Sequence, residues 1–203
     1  MRILGLDAAG ARCSACLIEN GLVLAELECP AVFGQPAILP GLVATILGEG
    51  GVDHVAAGIG PGGFTGIRTA LALAHGLADG FSAGVSGVSF LAALPFLIDN
   101  PQGRAVWAAI DNRRGGLFLL RPEAAPASIP EAALPRPATP TMLVGSGAAM
   151  AVARLLAQDA PVALGRLRGS VARGVALAAE EGLRAGRALG PAQPLYIDQP
   201  AVT

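Results

Sequence analysis

Residues 58–68 read GIGPGGFTGIR, and a long alanine-rich run follows them. The preceding VDHVAAGIG has the apolar run of a strand, and FTGIRTALALAHGLADG has the spacing of a helix. A strand, a glycine turn and a helix make the repeating unit of α/β folds. The glycines permit positive φ and close approach of other backbone. Free N–H groups at the helix start attract anions, and Thr65 is the expected N-cap of a helix over 66–79. The loop matches no standard phosphate loop. It lacks the lysine of G-x-x-x-x-G-K-[ST], and Phe64 and Thr65 stand where G-x-G-x-x-G needs glycine. From the residues alone, the loop makes a tight strand-to-helix turn, with anion binding as an open second use.

All 14 basic residues are arginine, so no Walker lysine, Schiff base or lysine general base is available. The arginines are scattered, with Arg113-Arg114 the densest spot. That is no basic stripe of the kind that binds nucleic acid unaided. Of 203 residues, 53% are hydrophobic and 14% charged, which is a folded chain of one large domain or two small lobes. The longest uncharged apolar run, Phe90–Ile98, is broken by Pro95 and is shorter than the roughly 20 residues a bilayer needs. The opening MRILGLDAAG reaches Asp7 too soon for a signal peptide. A cytoplasmic protein without membrane attachment is expected.

The first thirty residues contain three strands: RILGLD, ARCSACLIE and LVLAELE. Asn20-Gly21 marks the hairpin between the last two. A helix spans Pro36–Leu47, stopped by Gly48 and Gly50-Gly51. After the glycine loop and its helix come SAGVSG, extended, and VSFLAALPFLI, a broken helix. RAVWAAIDNRRGGLFLLR then reads as two strands around a turn. Residues 122–140 carry six prolines and read mostly as loop. TMLVGSG, AAMAVARLLAQ, PVALG and SVARGVALAAEEGLRAGRA follow as strand, helix, strand and helix. The order predicts two similar α/β lobes, residues 1–100 and a shorter, partly eroded 101–203, with mixed sheets flanked by helices.

Several motifs invite chemistry. Cys13 and Cys16 have C-x-x-C spacing, but residues three apart on a strand face opposite ways. Packed, reduced thiols are expected. Gly80–Gly84 matches G-x-S-x-G, yet a helix precedes Ser82 and a strand follows it, the reverse of a nucleophile elbow. His54 and His75 form no metal-binding spacing, and no metal ligands are assigned. Asp7 and Asp111 each end a strand. Such a carboxylate either holds a metal-nucleotide at the mouth of a sheet or caps a turn. The 66–79 helix has two apolar lines, Ile67-Leu71-His75-Ala78 and Ala70-Leu73-Leu77-Phe81. One suits the sheet, and the other is core or a partner surface.

The run Gly60-Pro61-Gly62-Gly63-Phe64-Thr65-Gly66-Ile67-Arg68 resembles the G-P-G-S-F-T-G-[LVI]-R signature of the TsaB (YeaZ) family. RILGLDAAGARCSACLIENG is similar to that family's opening. Ile38-Leu39-Pro40, Ala109-Ile110-Asp111 with Arg113 and Gly115, Val144-Gly145-Ser146-Gly147 and Pro194-Leu195-Tyr196-Ile197 resemble later family motifs. Departures are Gly63 for serine, Ala8 for threonine, Gly34-Gln35 for histidine and Asp198 for arginine.

The resemblance implies a two-lobed actin, sugar kinase and Hsp70 (ribonuclease H-like) fold. It implies a role in placing threonylcarbamoyl on adenosine 37 of tRNAs that read ANN codons. In that family TsaB is not the catalyst and has no catalytic residues. It supports TsaD, works with the ATPase TsaE, meets tRNA only in the complex and forms a homodimer when alone. The implied partner interface is Leu39, Val43, Ile46, Ile67, Leu71, Ala74 and His75. The loop Gly60, Pro61, Gly62, Gly63, Phe64, Thr65, Gly66 and Arg68 would sit at a nucleotide's edge, with Asp7 and Asp111 as a degenerate cleft. No cofactor is expected on this chain alone, with ATP or ADP at the partner interface. The alternatives are a stand-alone nucleotide-dependent ATPase or peptidase using Asp7, Asp111 and the glycine loop, and a homodimeric scaffold unrelated to tRNA.

Overall fold

The structure is a computed structural model that describes residues 1–31, 33–100, 102–122, 124–195 and 197. Tyr196 and Asp198 lie outside the described residues. The chain forms two compact units, the first comprising Met1–Leu97 and Gly169–Leu195 and the second built on Ile98–Arg168.

In the first unit, β1 (Arg2–Asp7), β2 (Arg12–Glu19) and β3 (Leu22–Pro30) form an antiparallel meander. Asn20 and Gly21 both take positive φ at the β2–β3 turn, as a two-residue hairpin requires. α1 (Gln35–Leu47) leads to β4 (His54–Gly58), α2 (Phe64–Phe81) and β5 (Gly84–Val88), whose strands run parallel to β1. The sheet order is β3-β2-β1-β4-β5. Leu4, Leu6, Leu17 and Val55 bury one face under α1 and α2. Ile3, Cys16, Ile18 and Ala56 bury the other under the short α3 (Phe90–Ala93) and α5 (Val171–Arg184).

The second unit repeats the plan. β6 (Ala105–Asp111), β7 (Gly116–Arg121) and β8 (Ala124–Pro130) are antiparallel, and β9 (Thr141–Val144) and β10 (Val162–Leu164) run parallel to β6. The order β10-β9-β6-β7-β8 matches that of the first sheet, strand for strand. α4 (Ala148–Leu156) joins β9 to β10 and shields Leu117, Leu119 and Leu143. Between β8 and β9 the described residues hold only one short 3-10 turn, Glu131–Ala133. The helix that α1 supplies in the first unit has no counterpart there.

Two expectations need correction. The proline-rich stretch was expected as loop, but its first third is β8. β8 lies at the sheet edge and its ladder shifts register between Leu119 and Arg121, so the missing N–H of Pro126 falls where pairing is already broken. The division at residue 100 also assigns α5 to the wrong unit. α5 lies across β1, β2 and β4. It crosses β1 at Gly5, where a Cβ would strike the carbonyl oxygen of Ala172. Ser170 caps it by accepting the Arg173 amide at 3.2 Å. Gly5→Ala should therefore lower unfolding free energy by about 1–3 kcal/mol in urea titrations, because helix and strand must separate to admit one methyl group.

Candidate functional site

The glycine loop leaves β4 at Gly58 and enters α2 at Phe64, with Gly63 rather than Thr65 as the N-cap residue. Its interior is filled by the chain itself. The Gly63 amide donates to the Ala9 carbonyl at 2.7 Å. A Cβ at Gly62 would strike Ala9, and one at Gly66 would strike the Ala8 carbonyl. Gly60 holds φ 98° and its carbonyl accepts the Phe90 amide at 3.0 Å. The turn between β1 and β2 is thus wedged against the loop, and only glycine lets it so close.

Asp7 ends β1 beneath this wedge. It is 5% exposed, lies against Gly58, and accepts a hydrogen bond from the Ala9 amide. Burial pushes its carboxyl up to about 7, the Ala9 hydrogen bond opposes the shift, and the charge of Glu28 adds to it. Asp111 occupies the matching place on β6. It is exposed, its Oδ1 accepts the Arg113 amide at 2.7 Å, and its own amide donates to Ser146 Oγ at 3.1 Å. Each aspartate accepts the amide two residues on, so each caps the turn after its strand. Among the described residues no three or more His, Cys, Asp or Glu side chains gather as a metal-binding group.

Most of the residues expected at a partner interface pack inside the first unit. Leu39, Val43, Ile67, Leu71 and Ala74 are buried against the first sheet, and Ile46 is half-buried on the same core. The line Ile67-Leu71-Ala74-Ala78, at i, i+4, i+7 and i+11, is the sheet-facing stripe. His75 is exposed, and its Nε2 is 3.1 Å from the Ala192 carbonyl. The accessible surface is the opposite side of the two helices. There Pro36, Pro40, Phe64, Thr65, Arg68, Thr69, Ala72 and Leu73 line an open groove of about 500 Å³. Phe64 is 58% exposed, with the Arg68 guanidinium 3.8 Å above its ring. The signal was in the sequence: Pro36-Pro40, Phe64-Arg68-Ala72 and Thr65-Thr69-Leu73 are i, i+4 ladders.

The other motifs fall out as structural. Cys13 joins the core under α1 and α2 and Cys16 the core under α5, so their sulfurs face apart. Ser82 is the αL C-cap of α2, with β5 after it. His54 Nε2 meets Ser86 Oγ at 2.8 Å, but both are buried and desolvation pulls the His54 pKa down. No described helix is long and apolar enough to cross a membrane.

Two mixed five-stranded sheets of one strand order, flanked by helices, define the actin, sugar kinase and Hsp70 class of folds. The likeness to ROK hexokinase from Thermus thermophilus, TM-score 0.54 at 13% identity over 92% of this chain and all of that one, is of fold alone. No family model matches the sequence. The chain is 39% identical over 125 residues to the tRNA threonylcarbamoyladenosine biosynthesis protein TsaB of Escherichia coli, covering 58% of this chain and 53% of that protein. It is 33% identical over 125 residues to the TsaB protein of Haemophilus influenzae, covering 59% and 52%. These matches span about half the length of the curated relatives. YeaZ from Pseudomonas aeruginosa superposes with a TM-score of 0.70 at 28% identity, covering 96% of this chain and 99% of that one. In sequence and in structure the chain is thus similar to TsaB (YeaZ) proteins.

The Asp7 shift carries a pH signature. An unfolded chain loses the Asp7 proton near pH 4, whereas the folded chain holds it to about pH 7. The Asp7 contribution to stability therefore falls as pH rises through that window and levels off above it. Asp7→Asn removes the dependence. Wild type and variant should be about equally stable near pH 4, and the variant should be the more stable at pH 8, by up to about 4 kcal/mol. Urea unfolding of both proteins across pH 4–8 measures the gap.

Proposed function

We propose that this chain is a non-catalytic subunit in tRNA threonylcarbamoyladenosine biosynthesis, binding TsaD through the outer face of α1 and α2. The groove between those helices carries the proposal. It is open, is built from i, i+4 ladders on both helices, and stands beside the glycine signature on which the family likeness rests. A stable complex buries roughly 1,200–2,000 Å² in total. Phe64, Ala72 and Leu73, with Pro36 and Pro40, would supply its apolar centre.

The glycine loop fits a supporting role. The Ala8-Ala9 turn already takes the Gly63 amide and the space above Gly62 and Gly66. The loop thereby sets the start and angle of α2. In this reading ATP or ADP belongs to the partner's edge, tRNA is met only by the assembled complex, and TsaE joins it in the cytoplasm. The same groove would take a second copy when TsaD is absent.

Size exclusion with light scattering, on the chain alone and mixed with TsaD from the same organism, tests the reading. A new species of one-to-one or larger mass is expected. Ala72→Glu should abolish it while shifting unfolding free energy by less than about 0.5 kcal/mol. Leu71→Asp should instead destabilise the chain by about 3 kcal/mol or more, since it buries a charge in the core. A wild-type chain that never shifts with TsaD, with or without nucleotide and TsaE, overturns the proposal.

A further inference from the structure

β2 and β3 bring two cysteines face to face. Cys13 and Cys29 are direct partners in the antiparallel register. Two residue pairs toward the open end of the ladder, the Ala31 amide donates to the Ala11 carbonyl at 2.9 Å. Hydrogen-bonded and non-bonded pairs alternate along such a ladder, so 13–29 is a bonded pair like 11–31. Bonded partners have Cα atoms about 5.5 Å apart, within the roughly 4.4–6.8 Å that a disulfide spans. Directly opposed side chains leave the sheet on the same face. Cys16 lies in the core on the opposite face and reaches neither thiol.

The two thiols differ in access. Cys29 is half-buried near the end of an edge strand, where its Sγ–H donates to the Pro30 carbonyl at 3.5 Å. Cys13 lies buried under α1. Burial, then the charges of Asp7 and Cys29, push the Cys13 thiol up to about 11. An oxidant arriving from solvent therefore meets Cys29 first, with Cys13 placed behind it to resolve the product.

We propose that Cys13 and Cys29 are a redox modification site, forming a reversible cross-strand disulfide with peroxide as the oxidant. In the first step the Cys29 sulfur attacks one peroxide oxygen. An S–O bond forms, the O–O bond breaks, and the leaving hydroxide departs as water with the Cys29 proton. In the second step the Cys13 sulfur attacks the Cys29 sulfur. The S–S bond forms, the S–O bond breaks, and the second hydroxide leaves as water with the Cys13 proton. Two thiols are oxidised by two electrons in all, and one peroxide is reduced to two waters.

The geometry favours reversal over permanence. Cβ atoms of bonded partners stand near 5.5 Å, and a disulfide draws them to about 3.8 Å. The strands must pinch, and strained, accessible disulfides are the easily reduced ones. The pinch falls at the root of α1, where Gln35 Nε2 donates to the Ala31 carbonyl at 2.8 Å. The inference does not depend on what binds the groove.

The test treats the full chain with hydrogen peroxide, then maps disulfides by mass spectrometry after alkylation without reduction. The expected product is a single chain lighter by two hydrogens, with Cys13 and Cys29 peptides joined. It should form equally in Cys16→Ser and revert with dithiothreitol. Cys29→Ser should leave Cys13 fully alkylatable. The wild-type measurement needs no variant to fold. Accumulation of Cys29 as sulfinic acid beside a free Cys13, a link through Cys16, a link between two chains, or thiols unchanged by peroxide would each overturn the site.

Discussion

The contact between the Ala8-Ala9 turn and the glycine loop governs the layout of the first unit. Backbone meets backbone there with no side chain between, so α2 starts at one place and leaves at one angle. Everything on the outer face of that helix inherits its position from this seat. A loop that elsewhere would cradle an anion has its amide and its space taken by a neighbouring turn of the same chain. The glycines persist for close approach, and among the residues that follow them Phe64, Thr65, Arg68, Thr69, Ala72 and Leu73 carry the surface that faces outward.

The two sheets share more than strand order. Asp7 and Asp111 end equivalent strands and cap equivalent turns through the amide two residues on. Yet the Asp7 side chain is sealed in the core, while that of Asp111 lies exposed. One ancestral plan thus sits in two environments. The same local bond persists in both, because a strand that ends in a tight turn needs its first amide satisfied wherever it lies.

Much of this was legible in the residues. Apolar runs and glycine stops gave most strands and helices, Asn20-Gly21 gave the hairpin, and strand periodicity separated Cys13 from Cys16. The failures have physical causes. α2 is apolar on more than one side, since Leu73 and Leu77 accompany the true stripe, so periodicity alone could not say which line met the sheet. Most of the residues expected at a partner surface, Leu39, Val43, Ile67, Leu71 and Ala74 among them, therefore turned out to be core. Prolines hid β8 because turn chemistry and edge-strand chemistry use the same residue. The unit to which α5 belongs depends on Gly5, whose partner lies at the far end of the sequence. No local pattern carries that information.

The return of α5 gives the chain an unusual order of assembly. Residues 98–168 interrupt the first unit, which regains its cover only with Gly169–Leu195. On a ribosome, β1 through β5 would emerge with the face around Ile3, Cys16, Ile18 and Ala56 still bare. The intervening sheet, whose strands all lie between Ala105 and Leu164, can close before that face is shielded. The first unit to be synthesised is then the last to be finished, and its apolar face is the surface for which a nascent chain of this kind most needs a chaperone.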